Sequence, residues 1–486
     1  MKQVPSFAMP LLVAAVLALS ACTSEELSSL GSGAASGSGA NVATSESLAQ
    51  AMGGQFEQTP LGLGCGWLAA SDVDKANVAF PDSNAKYWVA AAPITPQTRL
   101  RIDGVFPDAR YFSYNAYDAA LRPTDAIADA QISPRAGSVN PFVAVNQAPG
   151  GQYTAYLQSG TSPVQSSEVV RAPNTFYAGD AALGPAALPN GLTLFIYRVY
   201  VSKAGKFEDG GVGLPTLTLE TADGQRELGT LPNCEEPLLP SGGGSFPPLG
   251  LNDLLLSLDY PNELILDFPT ATYPPQSNKF FGLGETVGNI VSNRTGLGGG
   301  GGAPVSLGSG GFLSNIHNAY TTTTFARRYG SLALVRAKAP TYRDQANVAF
   351  GDEQLRYWSL CGNEFATQRY TDCAADFEVP LDDQGFFTVV ISDPADRPAN
   401  ATAENGFVWL PWGPYPDQLL IYRHMLHNPG FAQAIQFVEK GETLTQRMGD
   451  FAPQGVYCRP EVFVQSTRSS EVFALCEQDQ NTNPPL

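Results

Sequence analysis

Apolar and polar positions alternate through several short stretches of this chain, and each such stretch predicts a β-strand. In Arg110 to Asp118 (Arg-Tyr-Phe-Ser-Tyr-Asn-Ala-Tyr-Asp) the odd and even positions fall on opposite faces. Gly385 to Ser392 is almost wholly β-forming and predicts a central strand, and Leu192 to Val201 predicts another. Asp393-Pro394 and Arg397-Pro398 punctuate a strand exit. Helical spacing is best developed over Pro429 to Met448. There Asn428 can cap, Pro429 suits the first turn, and Phe431, Ala434, Ile435 and Val438 form an apolar stripe. Arg459 to Leu475 reads as strand, turn, strand.

The strand pattern recurs. Leu100-Arg101-Ile102 matches Leu334-Val335-Arg336. Arg110-Tyr111-Phe112-Ser113 matches Arg356-Tyr357-Trp358-Ser359. Leu194 to Arg198 (Leu-Phe-Ile-Tyr-Arg) matches Leu419 to Arg423 (Leu-Leu-Ile-Tyr-Arg). A rival register pairs Ala76 to Asp82 and Tyr87-Trp88 with Ala346 to Asp352 and Tyr357-Trp358; the first register preserves order at both ends of the unit and is preferred. The expectation is a mainly β chain of two duplicated antiparallel β-sandwich units of the jelly-roll type, with few helices. The predicted division is a leader at 1–21, a tether at 22–55 and a first sandwich at 56–235. A Pro/Gly-rich linker and insert at 236–314 and a second sandwich at 315–486, ending in a helix and a hairpin, complete it.

The first 22 residues are of another kind. Lys2 precedes an apolar run from Leu11 to Leu19, too short for a comfortable membrane span. Leu19-Ser20-Ala21-Cys22 resembles a bacterial lipobox. The resemblance implies cleavage before Cys22, lipidation of Cys22 and, because Thr23 is not Asp, sorting to the outer membrane. The segment Gly31 to Ala40, made only of Gly, Ser and Ala, has almost nothing to bury. A flexible tether of this length reaches roughly 30 Å from its anchor. The lipid anchor makes the membrane the first expected partner.

Composition agrees with an extracytoplasmic β-rich protein. Charged residues make up only 15% while 49 glycines and 38 prolines supply dense turns. A net charge of −18 argues against nucleic acid, whose phosphates need a basic footprint. Setting aside Cys22, six cysteines remain, an even number for an oxidising compartment. The preferred pairs are Cys361 with Cys373, Cys458 with Cys476, and Cys65 with Cys234. Zinc is disfavoured, since no C-x-x-C occurs.

Signals for chemistry are sparse. His424 and His427 stand three apart and His317 stands alone, with neither an H-E-x-x-H nor a G-x-S-x-G pattern around them. Gly298 to Gly302 lacks the following Lys-Ser/Thr of a phosphate loop. Acidic clusters occur at Asp72/Asp74, Asp382/Asp383 and Asp393/Asp396. None matches an EF-hand loop, a structural calcium is the one metal they suggest, and turn-forming Asp is the commoner explanation. No cofactor is predicted. The strongest ligand-binding candidates are the recurring Arg-Tyr units: Arg110-Tyr111, Arg356-Tyr357, Tyr197-Arg198 and Tyr422-Arg423. Arg can fork to a carboxylate, and an adjacent aromatic can stack on a ring. The competing structural role has these arginines pairing with Asp108 and Asp352 inside each sandwich. Trp409 and Trp412, in Trp-Leu-Pro-Trp-Gly-Pro, add an aromatic loop that would make a binding lip if exposed.

The blocks Arg110 to Ser113, Asn174 to Gly179, Ile196 to Tyr200 with Gly210 to Pro215, and Arg356 to Ser359 resemble a group of uncharacterised secreted bacterial proteins distantly similar to tandem jelly-roll domains of unknown function. The resemblance covers residues 56–230 and 315–465. It carries no agreed activity and transfers no catalytic residue. Sequence therefore points to an outer-membrane-anchored lipoprotein that binds an extracytoplasmic small molecule, glycan or protein, with no catalysis evident. The alternative is a tethered hydrolase of extracellular glycan or ester, with carboxylates in an aromatic cleft.

Overall fold

The computed structural model describes residues 66–71, 80–118, 122–144, 148–164, 166–180, 192–205, 208–231, 271–281, 313–343, 352–364 and 369–484. The leader, Cys22, the tether, Cys65, Cys234, Asp72, Asp74 and the glycine run at 296–311 lie outside them.

The chain is mainly β, as its alternation predicts. The first half holds β1 (Trp67–Ser71), β2 (Ala85–Pro93), β3 (Thr98–Val105), β4 (Ala109–Tyr117), β5 (Pro123–Ala128), β6 (Gln152–Gln158), β7 (Thr175–Tyr177), β8 (Leu192–Ser202), β9 (Thr216–Thr221) and β10 (Glu227–Leu231). They form two sheets, ordered β1-β2-β8-β4-β5 and β10-β9-β3-β6-β7. The second half holds β11 (Ser277–Lys279), β12 (Asn318–Ala326), β13 (Leu332–Lys338), β14 (Leu355–Asn363), β15 (Tyr370–Ala375), β16 (Phe386–Ser392), β17 (Val408–Pro411), β18 (Asp417–His427) and β19 (Gln454–Tyr457). Its sheets run β11-β12-β18-β14-β15 and β17-β16-β13-β19. In each half an antiparallel framework carries one parallel edge pair, β6 with β7 and β16 with β17.

The order of the first sheet is the same in both halves, and the registers agree residue by residue. Ser113 faces Arg198 and Tyr111 faces Tyr200; Ser359 faces Arg423 and Tyr357 faces Met425. Tyr87 and Tyr320 hold equivalent places beside Arg198 and Arg423. Of the two sequence registers, this is the first. The second would equate Tyr87 on β2 with Tyr357 on β14, which occupy different places in the sheet order.

Each half closes its two sheets over an aromatic core. In the first, Trp67, Trp88, Phe112, Tyr114, Phe195 and Tyr197 from one sheet meet Leu100, Ile102, Tyr153 and Phe176 from the other. In the second, Trp358, Leu420 and Tyr422 meet Val335, Phe387 and Val389. The outer face of the β13–β16–β19 sheet is covered as well, through Leu332, Leu334, Val390 and Val456.

That cover is helical, and two local expectations are corrected by it. Arg459 to Leu475 is no hairpin: α2 (Pro460–Phe463) and α3 (Ser469–Thr482) occupy it. Ser469, Val472, Phe473, Cys476 and Gln480 are the buried residues of α3, with helical spacing, so packing against the sheet overrides local β propensity. Pro429 to Met448 is no continuous helix. A 3-10 turn covers Ile435–Phe437 and only α1 (Leu444–Met448) is α-helical. Extended backbone at Ala434 and Val438 and Gly441 at φ 87° break the run, and the apolar stripe is buried from turns instead.

Two predicted disulfides are formed. Cys361–Cys373 links the neighbours β14 and β15, and Cys458–Cys476 ties the end of β19 to α3 across a sequence separation of 18. Replacing the second pair by alanine should cost about 3 kcal/mol through a larger unfolded ensemble. Denaturant unfolding of the oxidised double variant beside wild type checks this; equal midpoints would remove the bridge from the stability of the fold.

Candidate functional site

Four of the recurring arginines meet in one place, the contact between the halves. The outer faces of the β1-β2-β8-β4-β5 and β11-β12-β18-β14-β15 sheets pack on each other there, through Ala85, Tyr111, Ala128, Tyr200, Tyr357, Ala375 and Met425. Arg110, Arg198, Arg356 and Arg423 are each at most 4% exposed within this contact, and Tyr111 and Tyr357 are fully buried.

The arginines do not pair within their own sandwich. Arg110 on β4 donates through Nη1 to Asp376 Oδ1 at 2.6 Å, just beyond β15 of the other half. Arg356 on β14 donates to Asp129 at 3.3 and 3.4 Å, just beyond β5. Arg356 also donates to the Arg110 carbonyl at 3.1 Å. The two contacts are reciprocal, as across a two-fold axis. Each carboxylate also caps the strand of its own half: Phe112 N donates to Asp129 at 3.1 Å and Trp358 N to Asp376 at 3.1 Å. Expected partners Asp108 and Asp352 are thus replaced by Asp129 and Asp376. A long-range pairing of this kind leaves no local spacing signal, although an aspartate follows the fifth strand at the same register in each half.

Asp82, preceding β2, is the third carboxylate. It accepts from Arg423 Nη1, from Tyr357 OH at 2.9 Å and from Ser359 Oγ at 2.6 Å, all in the other half. Arg198 is the exception among the four. It donates to the Leu313 carbonyl and lies over the rings of Tyr87 and Tyr117, 5.4 and 5.6 Å from their centroids, with no carboxylate partner among the described residues.

Burial governs the titration of this region. It raises the Asp376 carboxyl to about 6 against the opposing pull of Arg110. His317, whose Nδ1 lies 2.8 Å from Tyr111 OH, is pushed down to about 4 by burial and then by Arg171, Arg198 and Arg356. His424 on β18 accepts from Ile435 N at 3.3 Å and is held at about 3 by burial and then by His427. Neutral imidazoles of this sort serve as packing and hydrogen-bond acceptors.

The remaining candidates stand apart from this contact. Trp412 is 1% exposed and carries Arg327 5.1 Å from its ring, so it is core and not a lip. Trp409 is half-buried, donates to Ser392 Oγ at 3.0 Å and has Arg397 stacked at 4.7 Å. Asp382 pairs with Arg336 and accepts from the backbone of its own turn, and Asp393 pairs with Arg327. Among the described residues these two, with Asp383 and Asp396, form no group able to share an ion. Asp82 with Cys361 and Cys373 is the group close enough, and its sulfurs are committed to a disulfide.

No protein-family model matches the chain, and no curated protein does. Solved structures similar to it include an uncharacterised protein from Burkholderia cenocepacia, at 11% identity and a TM-score of 0.42, covering 85% of this chain and 86% of that one. Another is a protein from Vibrio parahaemolyticus, at 11% identity and a TM-score of 0.34, covering 78% of this chain and 90% of that one.

Two outcomes follow from the buried network. Arg110→Met leaves the Asp376 carboxylate uncompensated and should cost about 3–5 kcal/mol, whereas Arg110→Met with Asp376→Asn should recover much of that. Denaturant unfolding of the four members of the cycle reads the coupling; additive losses would mean the pair is not coupled. The second concerns acid. A histidine whose folded pKa lies below its unfolded value near 6.5 costs nothing above that pH and destabilises the fold as pH falls toward the folded pKa. Asp376 acts in the opposite sense between about 6 and its ordinary value. His424→Gln should therefore flatten the loss of stability between pH 6.5 and about 3 by up to about 1.4 kcal/mol per pH unit. Parallel stability–pH curves for variant and wild type would refute it.

Proposed function

We propose that this protein is a non-catalytic, lipid-anchored binding protein of the bacterial outer membrane, whose two sandwiches are clasped into one rigid body. The observation that carries this reading is the fate of the arginine–tyrosine units. The residues best suited to bind or transform a ligand are buried against each other and satisfy one half with the other. Each interface carboxylate, Asp82, Asp129 and Asp376, holds an arginine, so none of the three is left as a general acid or nucleophile for glycan or ester hydrolysis. Nothing in this geometry favours the hydrolase alternative.

Membership of a group of secreted bacterial proteins, export and oxidation fit together. Both bridges lie in a chain whose start resembles a lipoprotein leader. The tether at 22–55 lets the body reach from the membrane surface. A ligand then meets the body at its loops. Val164 and Val170 on one and Val139 and Val143 on another are exposed, Val170 by 90%. The same two connections are joined where Asn174 and Ser133 exchange hydrogen bonds of 2.7 and 2.8 Å. Apolar loop tips of this kind suit a protein partner better than a sugar, which asks for exposed aromatic platforms.

Cys22→Ser should abolish incorporation of labelled palmitate and move the protein from the membrane to the soluble fraction. Labelling that persists in the variant would overturn the anchor. Incubation of the full chain with cell-wall fragments, oligosaccharides and ester substrates should release no product, while a thermal-shift screen against the same compounds reads binding. Release of product from any glycan or ester would overturn the non-catalytic reading.

A further inference from the structure

The Cys361–Cys373 bridge lies against the contact between the halves, and its two sulfurs stand in unlike surroundings. Cys361 faces Cys373 directly on the β14–β15 ladder. At the same register in the first half Asn115 faces Ala126, and β4 and β5 stay paired there with no cysteine in either place. A cross-link is therefore not what aligns this pair of strands. It also closes the shorter loop of the two bridges, with a sequence separation of 12 against 18 for Cys458–Cys476. A shorter loop removes less entropy from the unfolded chain.

Cys373, on the edge strand β15, is half-buried, whereas Cys361 is fully buried. Cys361 Sγ lies 4.0 Å from Arg423 Nη1. Cys373 Sγ lies 4.0 Å from the Pro81 carbonyl of the other half, and an Asp82 carboxylate oxygen lies within 4.8 Å of both sulfurs. A guanidinium beside a sulfur favours its thiolate, and the thiol that ionises more readily leaves faster in exchange. One sulfur of this bridge is thus open to attack, and the other is placed to leave. Cys458 and Cys476, by contrast, are both buried in the apolar cluster between α3 and the β13–β16–β19 sheet.

We propose that Cys361–Cys373 is an exchangeable disulfide, reduced and re-formed by dithiols, and that Arg423 couples its redox state to the contact between the halves. A thiolate of the dithiol attacks Cys373 Sγ, the bond between Cys373 and Cys361 breaks, and its electron pair leaves on Cys361 Sγ. The second thiolate of the dithiol then attacks its own sulfur in the mixed disulfide and releases Cys373. The bridge gains two electrons and the dithiol loses two, ending as its own disulfide. Of the two protons given up by the dithiol, one goes to Cys373 and one to solvent, and Cys361 stays a thiolate on Arg423. That thiolate competes with the Asp82 carboxylate, which otherwise draws Arg423 onto the first half. Exchange with the oxidised dithiol reverses the sequence. This chemistry is done to the protein, not by it, and is separate from any ligand met at the exposed loops.

The full chain is incubated with dithiothreitol in the absence of denaturant and quenched with iodoacetamide over time, and alkylation of each cysteine is read by peptide mass spectrometry. In wild type Cys361 and Cys373 should be labelled at least roughly tenfold faster than Cys458 and Cys476. The ratio of the two rates is the readout, because general loosening opens both bridges. Arg423→Gln should lower the ratio roughly tenfold, and Asp82→Asn, which leaves Arg423 to the thiolate, should raise it roughly threefold. Ser359→Ala loosens the same contact without changing a charge and should leave the ratio near the wild-type value. A purely structural role for Arg423 and Asp82 would move the ratio in one direction for both variants. Parallel opening of the two bridges in wild type, changes of the same sign in Arg423→Gln and Asp82→Asn, or an equal rise in Ser359→Ala overturns the proposal. Should Arg423→Gln fail to fold, the wild-type ratio and the difference between Asp82→Asn and Ser359→Ala still decide it.

Discussion

The constraint on which this structure rests is the cost of taking guanidinium and carboxylate groups out of water. Arg110, Arg356 and Arg423 reach across from one half to Asp376, Asp129 and Asp82 of the other, and all six side chains are buried. Separating such a pair in place is far more costly than never having buried it. Neither half can present these residues to solvent as part of a folded surface without exposing an apolar face as well. Antiparallel sheets in a lone sandwich have one solvated face, with alternating exposure along each strand. Here β4 and β14 are buried at every position, because the second half covers the face that water would otherwise take.

The contact follows an approximate two-fold relation inside a single chain. The same strand order, the same register and the same left-handed residues recur: Val201 at φ 52° and Leu426 at φ 45° close the long central strands. Their amides donate to Asn84 and His317 carbonyls, which lie two residues past Asp82 and Asn315. A β-branched residue at positive φ is strained, and the pairing of its amide into the neighbouring half-turn is what holds it. Both halves therefore tolerate the same local cost at the same point beside their shared face. Asp82 and Asn315 depart from equivalence in charge, and so do Glu378 and Gln131, which accept from the amides of Ala375 and Ala128 in matching turns.

These observations change what the aromatic and charged residues are for. Tyr111 and Tyr357 present phenol hydroxyls to an amide and a carboxylate rather than to a ligand. His317 and His424 are kept neutral by burial, and Asp376 is drawn upward for the same reason. Perturbed titration accompanies catalytic sites, but buried structural networks perturb it equally. Here the perturbed groups sit among buried arginine–carboxylate pairs.

Much of the fold was legible along the chain. Alternation located β4, because a pleated strand imposes a period of two on whatever it buries, and runs of β-forming residues located β8 and β16. Recurrence of Arg-Tyr-Phe-Ser as Arg-Tyr-Trp-Ser placed β4 and β14 in matching positions, and proximity in sequence paired Cys361 with Cys373 and Cys458 with Cys476. Elements whose conformation depends on a distant surface were not legible. Residues 460–463 and 469–482 are helical because a sheet face needs a cover, and 429–448 stays irregular because its backbone is extended at Ala434 and Val438 and left-handed at Gly441. The candidate site is the clearest case. Sequence by itself determined that arginines and tyrosines recur together. Only the tertiary structure decided that they face the opposite half, because their carboxylates lie in the other sandwich or far along their own chain, and desolvation binds partners by position in space rather than by spacing.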